Sequence, residues 1–267
     1  MNTLWNTALA FTVVVMSMPA MAGTMIENRD DVGGSSTVKI DGSHVRIDSG
    51  DESGYMLIDM KNNKVYSVSN DDHMVIDAST PVDMGPPDAL QPAPPPTAPT
   101  ITKIGKGPTI AGYSTVHYNV SIGDQHCFDE YLAAKPLENK DVKNFTEMMS
   151  KWSSEQRKHA GGMFEDEDEC DAAESVLTDQ YIKLGIPMRT IDSAGTVIHE
   201  VSRIQSGVSF PASVFVPPKE YPIVTQQELI KRLQDSPGDD MQQSDPDQLE
   251  EMQQNIQEMF DRMQQQE

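Results

Sequence analysis

The residues with the most definite chemistry are Cys127 and Cys170, the only cysteines in a chain of 267 residues. In an oxidising compartment a lone pair reads most simply as one disulfide, closing a loop of about 44 residues. Two buried free thiols are the other reading. No C-x-x-C occurs, so nothing resembles a redox site. The histidines (His44, His73, His117, His126, His159 and His199) show no ligand spacing on one element. His117 and His126, facing each other across a hairpin, come nearest to a metal pair, and surface or core histidines are the better reading. His199-Glu200-Val201-Ser202-Arg203 begins like a zinc-protease motif, but Arg203 stands where the second histidine must be. It also lies in a strand pattern, where residues i and i+4 do not wrap one ion.

Two further segments resemble sites and fail on their spacing. Gly105-Lys106-Gly107 starts like a phosphate loop, yet it lacks the third glycine and fits neither the dinucleotide nor the Walker pattern. Glu165-Asp166-Glu167-Asp168-Glu169 suggests calcium, but Cys170 falls where an EF-hand loop needs glycine, and adjacent side chains cannot all face one ion. Acids at a helix start are better explained by the macrodipole and the free N–H groups there. There is no G-x-S-x-G nucleophile elbow. The sequence therefore assigns no catalytic residue, no metal ligand and no cofactor.

The formal net charge of −22 is unevenly spread. Glu165 to Asp171 holds six acids and no base, Asp235 to Glu267 holds ten acids and one base, and together they carry −15. Such acidity repels phosphate backbones and anionic membrane surfaces, so nucleic acid is excluded as a partner. Residues 1–22 contain no acid and an apolar stretch from Ala8 to Met16, followed by Ala20-Met21-Ala22 before Gly23. That is the pattern of a cleavable secretory signal, far short of the ~20 apolar residues a membrane span needs. The expected location is the periplasm or outside the cell, with no stable membrane insertion after cleavage.

Those candidate residues need elements to hold them. Residues 23–35 read as a flexible N-terminal segment. Thr37–Asp41, Val45–Asp48, Tyr55–Met60, Lys64–Val68 and His73–Asp77 alternate apolar and polar across short turns, as a β-meander does. Eight of the 19 residues from Pro81 to Pro99 are proline, so residues 80–99 form an extended, solvated loop. Tyr113–Ile122 alternates again, Gly123-Asp124 turns the chain, and His126–Leu132 returns it, placing Cys127 on a strand. Val142, Phe145, Met148/Met149 and Trp152 have helical spacing within Asn139–Lys158. Cys170, Ala173, Leu177, Tyr181 and Leu184 mark a second helix with Gly185 as its C′ residue and Pro187 beyond. Ile186–Asp192 and Thr196–Ile204 form a late hairpin. Residues 231–267 are an acidic, Gln- and Met-rich tail, disordered or loosely helical.

Several short motifs then carry a resemblance: Thr109-Ile110-Ala111-Gly112-Tyr113 into Val116-His117-Tyr118-Asn119-Val120, Glu130-Tyr131-Leu132-Ala133, Leu184-Gly185-Ile186-Pro187-Met188-Arg189, and Phe215-Val216-Pro217-Pro218-Lys219-Glu220-Tyr221. Over residues 36–230 the chain resembles a family of uncharacterised exported bacterial domains related to the periplasmic lipoprotein carriers (LolA/LolB-like half-barrels). That resemblance implies an α+β, mainly antiparallel fold: an incomplete, open β-barrel of about eight to ten strands whose concave apolar face is covered by two helices. It implies a hydrophobic cavity and transfers no catalytic residue. The expected function is a non-enzymatic exported binding protein for a hydrophobic ligand (an acyl chain, lipid or lipidated peptide). The alternative is an envelope structural or protein-interaction module that uses the Pro-rich loop and acidic tail.

Overall fold

Alternation of apolar and polar residues folds much of the described chain into strands. The computed structural model describes residues 23–30, 34–80, 99–159 and 169–235. The expected signal peptide, the proline-rich stretch 81–98, the acidic residues 165–168 and the tail beyond Asp235 lie outside the described residues. Six strands come first: β1 (Gly23–Asp30), β2 (Ser35–Asp41), β3 (His44–Asp48), β4 (Gly54–Asp59), β5 (Lys64–Ser69) and β6 (Met74–Asp77). After the gap follow β7 (Thr100–Ile110), β8 (Tyr113–Ile122) and β9 (Gln125–Ala133), then helices α1 (Lys140–His159) and α2 (Glu169–Leu184). The chain closes with β10 (Ile186–Asp192), β11 (Val197–Val208), β12 (Ile223–Thr225) and α3 (Gln226–Asp235).

Among the described residues, twelve strands share one open sheet in the order β12-β6-β5-β4-β3-β2-β1-β11-β10-β9-β8-β7. Every pairing is antiparallel except β12 with β6. The fold is thus the expected open, mainly antiparallel half-barrel with covering helices, built from twelve strands rather than eight to ten.

β1, β7 and α3 depart from the sequence reading, each for a physical reason. Gly23–Asp30, expected within a flexible segment, is a central strand between β11 and β2, because Thr24 and Ile26 face Ile40 and Val38 across the ladder. Thr100–Ile110 was hidden by Gly105, Gly107 and Pro108. It is an edge strand, where a missing N–H and two register shifts are tolerated. α3 runs across residue 230, where the body was expected to end. Its start is fixed by a capping box in which Glu228 N donates to Thr225 Oγ1 (3.1 Å) and Thr225 N donates to Glu228 Oε2 (2.8 Å).

Register sorts the side chains of the first six strands into two faces. On one face Thr24, Ile40, Val45, Ile58 and Val65 form a row, all nearly sealed. Beside it run Ile26, Val38, Ile47, Met56, Ser67 and Ile76, and cover thins along this row until Ser67 is exposed. The opposite face carries Leu57, Val68 and Val75, which Tyr55, Tyr66 and Tyr221 close over. Tyr221 belongs to residues 209–222, which strap this outer face. Arg46 lies 3.5 Å over the Tyr55 ring and donates to the carbonyl of Val214 (3.3 Å).

Candidate functional site

α1 begins at a fixed point. Asn139 caps it, its Oδ1 accepting from Asp141 N (2.8 Å) while its Nδ2 donates to Thr24 Oγ1 and Ser206 Oγ, both 2.9 Å. Those bonds tie the helix start to β1 and β11. Val142 is sealed into the core, and Phe145 and Met148 pack against it. The helix therefore lies across the sheet next to the β2–β3 and β4–β5 turns. Between them opens a cleft of about 730 Å³. Met60 and Met148 give its wall two flexible apolar side chains. Asp41, Asp141 and Glu147 stand on it as carboxylates, and Lys61, Lys140 and Lys151 as ammonium groups.

Asp41 and Asp141 are the unusual part of this cleft. Oδ1 of Asp41 is shielded from solvent and makes no hydrogen bond. Asp141 is held above the usual aspartate pKa, first by burial and then by the negative charge of Asp41. The hydroxyl of Thr24 (3.2 Å to Oδ2) and the Lys140 ammonium oppose that shift. A hydrogen-bond donor or cation placed beside this pair would satisfy Asp41 and relieve the repulsion. Neither residue drew attention in the sequence. Asp41 reads as the last residue of a strand and Asp141 as one residue of the helical segment Asn139–Lys158, and only the fold brings them together.

A second polar group lies under α2. Glu130 is 2 % exposed, on the covered face of β9 between Phe128 and Leu132. Its Oε1 accepts from Tyr181 Oη (3.2 Å) and Thr190 Oγ1 (3.1 Å), linking α2 to β9 and β10. The strand's own alternation carried this signal, since Glu130 has the parity of its buried neighbours. Nearby, Cys127 and Cys170 form a disulfide with Cα atoms 5.2 Å apart, pinning the start of α2 to β9. Gly185, at φ +123°, ends that helix, its N–H donating to Tyr181 O (2.9 Å). A Cβ there would meet the Ala133 backbone at 2.3 Å.

The remaining sequence candidates take structural roles. His117 and His126 do come together, on opposite oxygens of Asp129: His117 Nε2 lies 2.8 Å from Oδ1 and His126 Nε2 lies 3.5 Å from Oδ2. His117 also stacks on Tyr131 at 4.6 Å. Among the described residues, no three His, Cys, Asp or Glu side chains converge to hold a metal ion. The His199–Arg203 segment is divided among different partners. His199 is half-buried and its pKa is lowered by burial, Glu200 is ion-paired with Arg189, and Arg203 lies 3.8 Å from Glu27. Gly105 and Gly107 lie within β7, not in a loop. Among the described residues, no helix is long and apolar enough to cross a membrane.

No protein-family model matches the chain, and no curated protein matches it. Among solved structures, the chain is similar to MucB in the Pseudomonas aeruginosa MucA/MucB complex (TM-score 0.35, 14 % identity, 76 % of this chain and 57 % of that one). MucB in complex with MucA(peri) gives a TM-score of 0.34 at 13 % identity, over 77 % of this chain and 58 % of that one. MucB alone gives 0.32 at 14 % identity, over 74 % and 57 %. The chain thus spans less than three-fifths of the length of these neighbours.

Proposed function

We propose that this chain is an exported, non-enzymatic binding protein whose ligand site is the cleft between α1 and the β2–β3 and β4–β5 turns. The observation that carries the reading is the composition of that cleft. Its volume of about 730 Å³ suits a small ligand, and Met60 and Met148 offer a deformable apolar contact. Asp41 and Asp141 beside them ask for a donor or a cation. The ligand class that meets all three conditions is an amphiphile: an acyl chain, lipid or lipidated peptide whose head bears N–H groups or an ammonium. Export rests on the pattern of residues 1–22.

Two measurements test this. Native mass spectrometry on protein recovered from the export compartment should show an amphiphile adduct. Displacement of a fluorescent acyl-lysine probe should weaken in Asp41→Asn/Asp141→Asn, by about tenfold if one charged contact is lost. Protein that carries no adduct and binds neither acyl-lysine nor a fatty acid would overturn the reading.

A further inference from the structure

The two edges of the sheet are treated very differently. One ends in β12, only three residues long, with α3 continuing directly from it. The other ends in β7, eleven residues long, which pairs with β8 on its inner side and with nothing described on its outer side. A strand of that length with an open row of backbone donors and acceptors is a template for another extended chain. The charge around it is equally distinctive. In a chain of net −22, residues 99–123, which span β7 and β8, contain no acid at all and carry Lys103 and Lys106.

Edge strands commonly carry lysines, bulges and proline as protection against mispairing, and β7 has all three. Their placement limits where pairing can occur. From Thr100 to Lys103 the register against Ser121–Tyr118 is unbroken. The shift that follows turns Ile104 out, 57 % exposed, between the two exposed lysines. Pro108 and the second shift interrupt the rest. A ladder of about four residues is therefore available, ending at an apolar side chain flanked by two ammonium groups.

We infer that the outer edge of β7 receives an extended, acidic segment of a protein partner, added as a thirteenth strand along Thr100–Lys103. An apolar residue of the partner would pack on Ile104 and its carboxylates would meet Lys103 and Lys106. A second copy of this chain fits poorly, because β7 against β7 would set lysine against lysine. The surface shares no residue with the cleft, so failure of either reading leaves the other standing.

The test uses the full chain, ¹⁵N-labelled, with a ten-residue peptide alternating valine and glutamate and a counterpart alternating valine and lysine. The acidic peptide is expected to protect the outward-facing amides among residues 100–104, alternate ones along the strand, from hydrogen exchange and to weaken with salt. Lys103→Glu/Lys106→Glu should lower its affinity about tenfold and reverse the preference in favour of the basic peptide. A dispersed ¹⁵N spectrum matching that of the parent chain shows that the variant is folded. No binding, binding centred away from β7, or equal affinity for both peptides would overturn the proposal. So would amides already protected in the free chain and released by deleting residues 236–267, which would assign the edge to the chain's own acidic tail. Concentration-dependent protection without peptide would assign it to a second copy, with the same result.

Discussion

α1 and α2 pack side by side, α1 reaching β1 and β2 and α2 reaching β8, β9 and β10, yet they cover the sheet in different ways. Under α2, Leu177 and Tyr181 close on Tyr118, Val120, Phe128 and Leu132, and the Cys127–Cys170 bond prevents the helix from leaving. Even the buried carboxylate there, Glu130, is bonded to a tyrosine and a threonine. Under α1, the seal holds at Val142 and then gives way to a cleft with methionines, lysines and an under-satisfied Asp41. One helix completes a core, whereas the other borders an open cleft. The buried carboxylate under α2 is tied at Oε1 to side chains of two other elements, whereas the carboxylate pair under α1 stands beside open space.

The largest test of that contrast is the covalent staple. Cys127→Ser/Cys170→Ser should lower unfolding stability by about 4 kcal/mol in the chain-entropy treatment of a closed loop of this length, measured by urea denaturation. Amphiphile binding at the α1 cleft should survive in the protein that remains folded. Next in size is a pair of truncations. Leu177→Ala, in the sealed cluster, should cost about 3 kcal/mol, and Met148→Ala, on the cleft wall, under about 1 kcal/mol. Equal costs would break the comparison.

Acid should then act on β11 and on the cleft in opposite senses. Burial lowers the folded pKa of His199 below 6.5, so its contribution to stability is full above 6.5 and is lost as pH falls through that value toward the folded pKa. His199→Gln should flatten the melting-temperature profile in this window. Asp141 is shifted upward from 3.8, so its ionisation costs stability as pH rises through the folded pKa, and the cost is absent below 3.8. Asp141→Asn should therefore stabilise the protein slightly near pH 7, by ~0.5 kcal/mol, and not at all at pH 3.5.

Much of the body was legible because its signals are local. The meander hairpins, the late hairpin, both long helices, Gly185 as a helix end and the cysteine pair all follow from alternation, helical spacing and turn residues. The misses were non-local. β1 has little alternation of its own and is a strand because β2 and β11 pair with it on either side. β7 was concealed by glycines and a proline that only an edge position allows, and β12 is a three-residue parallel pairing with no periodicity to detect. The candidate site was less legible still. Asp41 and Asp141 are a hundred residues apart in sequence and meet only because Asn139 anchors α1 to β1 and β11.

The cleft itself is tested most directly by its two methionines. With ¹³C-methyl methionine in the full chain, Met60 and Met148 report on the cleft wall, and Met188, fully buried in the core cluster they pack against but outside the cleft lining, is an internal control. Titration with dodecanoyl-lysine should give saturable shifts at Met60 and Met148 that weaken in Asp41→Asn, while Met188 stays still. Saturable shifts at Met188 with the cleft methionines unmoved, or no saturable shift at any of the three, would contradict a ligand site beneath α1.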